Sequence, residues 1–269
     1  MTCSSHRLHR LQPLEGSHGL HGSWKESATF MTIGENCEIH PTVVIGDGVT
    51  VGDRVGIGPY AVLTGPLDLG DDCWIGAHAT LGAPPEWIGK THPRTWTEVS
   101  PHQGVVIGAG TVIREMSAVQ QGAERPTTIG RGGFVMNHTS VEHDVRIGED
   151  CVLSPSCTLG GHVTLGDGVN VGMSAVVHQR RVIGARAMVG MGSVVAKDIP
   201  PFATVFGNPA ALRGTNRVGM SRAGIPDEDI AAVEALYASG RLGADAELPR
   251  SLADAFARWR ELAVKPLVS

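Results

Sequence analysis

Residues 136–145 read MNHTSVEHDV, with His138 and His143 five apart and Glu142 and Asp144 flanking the second histidine. A neutral imidazole, with a pKa of about 6.5, accepts the proton of an attacking hydroxyl or amine near neutral pH, and a carboxylate beside it can orient the ring. Histidines are also common metal ligands, and an ion held by imidazoles with one open position can activate water. Both chemistries stay open locally, so the answer depends on what the fold brings to His143.

An internal repeat announces the elements that must position these residues. Aliphatic side chains recur at every sixth position from Ile33 through Ile45, Ile57 and Leu69 to Leu81, again at Ile107 and Ile113, and then without a break from Ile129 to Val195. Glycine is abundant, at 36 residues, and aromatics make up only 4%, as many short strands with frequent corners require. A six-residue period suits a triangular solenoid: each flat face uses six residues, each coil eighteen, and one aliphatic side chain per face points inward. The expected organisation is an extension of disordered character over 1–30, an all-β solenoid over 31–205 with excursions at 83–106 and 114–128, and an α-helical region over 206–269. Pro226 with the acids after it, and the segment 251–263, mark two helices in that last region.

Composition excludes several classes. No apolar run approaches the roughly 18 residues of a membrane-spanning helix, which predicts a soluble chain with no membrane span. The five cysteines (Cys3, Cys37, Cys73, Cys151, Cys157) are odd in number and contain no CxxC pair, so they read as reduced thiols of a cytoplasmic protein. A formal net charge of −5 with no aromatics interleaved among the basic residues argues against nucleic acid.

In an eighteen-residue coil, residues eighteen apart stack. His143 then shares a column with Gly161 and Gln179, Asp144 with His162 and Arg180, and Glu142 with Gly160 and His178. Such a patch suits acyl transfer from a thioester: His143 as general base, the Gly161 N–H as oxyanion donor, and Asp144 expected to orient the base. Residues 180–222 carry Arg180, Arg181, Arg186, Lys197, Arg213, Arg217 and Arg222 against the single acid Asp198, a stretch suited either to a phosphate or merely to solvent.

The hexads resemble the hexapeptide-repeat, left-handed β-helix family, whose members are mostly acyltransferases and usually trimers. The blocks VEHDVRIG (141–148), TLGGHVTLG (158–166), GMSAVVHQ (172–179), IGARAMVGMGSVVAKDIPPF (183–202) and SRAGIP (221–226) are similar to those of the UDP-N-acetylglucosamine O-acyltransferases that begin lipid A synthesis. The resemblance implies His143 as base and Gly161 as oxyanion residue, with His162, His178, Gln179 and Arg222 contacting the donor arm or the nucleotide sugar. It also implies a homotrimer with active sites in the clefts between subunits, and no bound cofactor or metal. The co-substrate would be an acyl thioester of phosphopantetheine, on acyl carrier protein or coenzyme A, and the acceptor a sugar or nucleotide sugar. Three positions depart from the family pattern. Ser140 replaces a second histidine three residues before the base, with His138 displaced by two. Gly89 stands where the family has lysine, unless Lys90 substitutes. Met191 occupies the position that measures acyl length, predicting a shorter chain, at about 0.8 kcal/mol per buried methylene lost. Two enzymes of the same fold compete: acetyl-CoA-dependent sugar N-acetyltransferases, which share VEHD and GNPA, and γ-class carbonic anhydrase, through His138 and His143. A third alternative is a scaffold without activity.

Overall fold

A computed structural model describes residues 31–88, 102–240 and 248–267; the expected extension at 1–30, and Gly89 and Lys90, lie outside the described residues. Within them the hexads become strands of mostly two or three residues, three per coil, which stack in parallel as three sheets of eight strands, one of them extended to ten by the C-terminal region. The architecture is the expected left-handed parallel β-helix, with helices at its C-terminal end.

The eighteen-residue register is explicit. Val141 pairs with Leu159, Leu159 with Val177 and Val177 with Val195 in one sheet, while Ile129 pairs with Ile147 and Ile147 with Leu165 in another. These aliphatic side chains are essentially inaccessible to solvent and form one continuous core down the prism. Each contributes roughly 1.5–3 kcal/mol by burial. The corners are filled by small residues such as Ala61, Ala175 and Cys157. Burial pushes the Cys151 thiol up to about 12 and Cys157 to about 11, and the four described cysteines are free.

Two coils are longer than eighteen residues. Leu69 pairs with Ile107, which places the large excursion between the strands Thr80–Ala83 and Val105–Ile107. Ile107 pairs with Ile129, an insertion of four residues. The expected second excursion, 114–128, is therefore narrower: Ala118–Gln120 is a strand of the prism, and only residues 121–126 leave it. Val119 continues the six-residue period of Ile107 and Ile113 and pairs with Leu81 and Val141, and the insertion falls after it.

The C-terminal region opens with β-structure. Strand Ala203–Phe206 joins the ten-stranded sheet and turns back antiparallel onto Ala211–Thr215. Helices α1 (Arg217–Arg222), α2 (Asp227–Ala238) and α3 (Arg250–Leu262) follow. Asp227, Glu228 and Asp229 in the first turn of α2 complement the helix dipole. Ile230, Val233, Leu236 and Tyr237 are buried as expected, and the Tyr237 hydroxyl donates to the Pro201 carbonyl, tying the helices to the last coil. Asp198, fully buried, accepts from Arg181 Nη1 (3.0 Å) and from the backbone N–H groups of Val182 (2.9 Å), Val264 (2.7 Å) and Lys265 (2.5 Å). That carboxylate fastens the C-terminal segment to the coil that carries Gln179 and Arg180.

Candidate active site

Three stacked turns along one corner of the prism carry the candidate acid–base residues. Asp144, His162 and Arg180 occupy the same left-handed position in successive coils, with φ of 61°, 62° and 61°. The His162 N–H donates to the His143 carbonyl and the Arg180 N–H to the Gly161 carbonyl, both at 2.9 Å. The columns read from the sequence are thus built, on tight hydrogen-bonded turns rather than on a mobile loop.

His143 Nδ1 lies 2.7 Å from Asp144 Oδ2. Asp144 has no exposed surface, and an isolated buried carboxylate would be strongly disfavoured. The four-residue insertion resolves this. It presents the backbone N–H groups of Glu124 and Arg125 to Oδ1, each at 2.8 Å, and that of Ala123 to Oδ2 at 3.2 Å. Arg125 also clamps the Asp144 carbonyl through Nε (3.1 Å) and Nη2 (2.9 Å). Burial pushes the Asp144 carboxyl up, but the hydrogen bonds from His143 and from these three N–H groups outweigh it and hold the group below its ordinary range. An ionised carboxylate only accepts, so His143 Nδ1 carries the proton and the lone pair sits on Nε2. Burial keeps His162 below its usual range, against the pull of Asp144, whose Oδ2 lies 3.7 Å from His162 Nε2.

The free edge of the His143 ring lies over Gly161: a Cβ there would stand 2.7 Å from both Cε1 and Nε2. Among the described residues the Gly161 N–H donates to no protein acceptor. Trp87, from the start of the large excursion, stacks on the imidazole with ring centroids 5.6 Å apart and planes inclined by 20°, and meets His162 edge-on. Its segment is held by Gln120, whose Oε1 accepts from the Glu86 N–H at 3.0 Å. On the other side of the base, Ser140 Oγ donates to Glu142 Oε1 at 2.7 Å; burial, and then the nearby Glu86 charge, push the Glu142 carboxyl up despite that bond.

The remaining expected residues are distributed unevenly. His178 and Gln179 lie exposed one coil above Gly160 and Gly161. His138 stands at the preceding corner, exposed, about 16 Å of extended chain from His143. Met191 is at that same far corner and 71% exposed, while Arg222 ends α1 on the surface. The expected pairing of His138 with His143 on a metal is therefore not formed in the chain, because five residues span a whole face. The ligand atoms that do converge, within 4.8 Å, belong to His143, Asp144 and His162, and both Asp144 oxygens already accept hydrogen bonds. Asp144 is thus already engaged at both oxygens by protein donors. Sequence reasoning missed Trp87 and Arg125; the breaks in the hexad pattern at 83–106 and 114–128 were the signals that could have found them.

Comparison with known proteins relates the chain to acyltransferases of the same fold. Residues 30–65 match the family model for bacterial transferase hexapeptide repeats, and residues 198–242 match that for UDP N-acetylglucosamine O-acyltransferase, domain 2. The acyl-[acyl-carrier-protein]–UDP-N-acetylglucosamine O-acyltransferase of Pseudomonas paraeruginosa is 33% identical over 136 residues, 49% of this chain and 53% of that protein. The chain thus spans about half the length of the curated relatives it matches. The UDP-N-acetylglucosamine acyltransferase of Campylobacter jejuni superposes with a TM-score of 0.77 at 22% identity, covering 90% of this chain and 98% of that one. The Bacteroides fragilis UDP-N-acetylglucosamine acyltransferase gives 0.72 at 26%, covering 91% and 94%. The chain resembles the hexapeptide-repeat acyltransferases in sequence at both ends of the prism and in fold along nearly its whole length.

Proposed function

We propose that this protein transfers an acyl group from the phosphopantetheine thioester of an acyl carrier protein to a hydroxyl of UDP-N-acetylglucosamine or a closely related nucleotide sugar. The observation that carries the reading is the His143 imidazole, with Nδ1 on a buried carboxylate and Nε2 over a glycine whose N–H has no acceptor among the described residues. Nε2 takes the proton of the acceptor hydroxyl as its oxygen attacks the thioester carbonyl. The Gly161 N–H receives the developing oxyanion, and Asp144 stabilises the imidazolium. Collapse of the tetrahedral intermediate breaks the C–S bond, and the departing thiolate recovers the proton from Nε2. No nucleophilic serine or cysteine is needed, and the described cysteines are not placed to supply one: Cys73, Cys151 and Cys157 are buried in the core, and Cys37 lies in the first coil.

Carrier protein is assigned as donor, rather than coenzyme A, because the matched relatives are named for it. Ser140, Glu142, His162, His178 and Gln179 surround the base and are assigned to binding the acceptor and the pantetheine arm. The acyl chain is assigned to the outward face of the sheet that runs from His178 past Val176 and Met173 to Met191, exposed by 41%, 49% and 71%. Met191 then ends the groove and favours a short or medium chain.

The outward faces support a homotrimer. Two sheets present more apolar side chains, Val112, Phe134, Val152 and Met188 on one, among Glu38, Asn170 and Thr204, and Val44, Val62, Val176 and Val194 on the other, among Thr80, Ser140 and Thr158; the third presents mainly Thr32, Thr50, Asp68, Thr128, Arg146 and Thr164, with Val106 and Val182. Two apolar faces meeting at one edge suit a three-fold assembly in which each copy lays one face on its neighbour's other face. Localisation in the cytoplasm is consistent with the proposed substrates, and no helix among the described residues is long and apolar enough to cross a membrane. The test is incubation with UDP-N-acetylglucosamine and carrier-protein thioesters of graded chain length, following thiol release and product mass. A singly acylated nucleotide sugar is expected; absence of transfer from every donor would overturn the reading.

A further inference from the structure

The fold takes apart the basic stretch at 180–222. Arg181 is buried on Asp198, Arg217 pairs with Glu234 at 2.8 Å and Asp227 at 3.4 Å, and Arg213 lies over the Phe206 ring. Arg186 stands on a different corner, beside Gly168. Of these arginines Arg180 is the one exposed on the His143 corner, with Lys197 one coil beyond Gln179.

Two arginines from outside the stretch join it. Arg125 sits in the insertion, hydrogen-bonded to the Asp144 carbonyl. Arg146 follows Asp144 by two residues and is exposed. With about 3.3 Å per residue along a strand and about 4.8 Å between coils, the Cα atoms of Arg146 and Arg180 stand roughly 7 and 10 Å from that of Asp144. The three charges feel one another: after burial, Arg146 pushes the Arg125 guanidinium down, and Arg180 adds to it. Asp144 and Glu124 pull the other way, but Asp144 is already enclosed by N–H donors. Among the described residues no carboxylate oxygen lies within ion-pair distance of any of the three guanidiniums.

Like charges gathered without a paired counter-charge suit an incoming anion, and guanidinium forks match phosphate geometry. We infer that Arg125, Arg146 and Arg180 form an anion subsite that takes a phosphate ester beside the acyl-transfer centre. This rests on the proposed function for the source of the phosphate, which is either the phosphopantetheine arm or the nucleotide sugar.

The experiment is calorimetric titration of the full chain with pyrophosphate, comparing wild type with Arg146→Ala, Arg180→Ala and the double variant. Both side chains are exposed, so the fold is retained and checked by thermal unfolding; Arg125 is left in place because it also holds Asp144. At least ten-fold weaker binding in the double variant is expected, with a smaller salt dependence. Parallel titrations with UDP-N-acetylglucosamine against uridine, and with phosphopantetheine against pantetheine, identify the source as the phosphate-bearing probe whose affinity falls while its phosphate-free counterpart is unaffected. Failure of wild type to bind pyrophosphate, unchanged binding in the double variant, or an equal loss for the phosphate-free probes would overturn the inference. None of these titrations needs turnover, so failure of the acyl-transfer reading would show in the rate assay instead.

Discussion

Replacing Asp144 with asparagine changes one oxygen to an amide and should disable the base without removing it. The asparagine has a single acceptor oxygen. Left at the Oδ1 position, it keeps the N–H groups of Glu124 and Arg125, both at 2.8 Å, and puts the NH2 where Oδ2 meets Ala123 N–H at 3.2 Å and His143 Nδ1 at 2.7 Å. The Ala123 N–H then loses its acceptor in a half-buried site, costing about 1 kcal/mol. To meet the amide donor, His143 must present a lone pair at Nδ1, which moves its proton to Nε2 and leaves no base facing the acceptor. In serine proteases the corresponding wrong tautomer costs about 10⁴ in kcat. A fall of roughly 10³–10⁴ in kcat is therefore predicted here, read by thiol release under saturating donor and acceptor. Stability carries a second signature. The carboxyl is depressed in the folded chain, so its contribution is complete above its unfolded pKa of about 3.9 and is lost as pH falls through the lower folded value. The variant should unfold more easily than wild type at neutral pH, and the gap should close in acid below about pH 4. An Asp144→Asn protein that keeps kcat within ten-fold of wild type, with its fold intact, would refute the tautomer argument.

Three further substitutions probe separate parts of the structure. Gly161→Ala places a methyl 2.7 Å from His143 Cε1 and Nε2 at a residue whose backbone needs no left-handed angle, so kcat should drop by about 10² or more from a displaced imidazole while the thermal midpoint moves little. Asp198→Ala leaves Arg181 buried without its counter-charge and frees the N–H groups of Val264 and Lys265; urea unfolding should register a loss of about 3–5 kcal/mol. Met191→Gly should shift the preferred donor to longer acyl chains, by about four-fold in kcat/KM for each additional methylene buried; an unchanged chain-length profile would remove Met191 from the acyl groove.

The hexad period made the prism legible because one buried aliphatic per face is a strict packing requirement. The eighteen-residue coil then put Gly161 on His143 and His162 on Asp144 before any coordinates. Two kinds of residue escaped. Arg181 occupies an inward corner column in which neighbouring coils place Val145 and Val163, and nothing local marks an arginine that pairs with Asp198 seventeen residues on. Trp87 and Arg125 reach the site from segments that leave the repeat, where stacking arithmetic has no purchase; their contacts to His143 and Asp144 follow from how an excursion folds back. The same limit explains the basic stretch: seven cations close in sequence are spread over several corners by a chain that turns every six residues.

The central claim is that His143 removes the proton from the acceptor. Its most direct measurement is single-turnover transfer by wild type and His143→Ala, with carrier-protein thioester and UDP-N-acetylglucosamine, each protein first shown to have the same oligomeric state and thermal midpoint. The account predicts transfer by wild type and a loss of at least 10³ in the variant. Equal rates would contradict it.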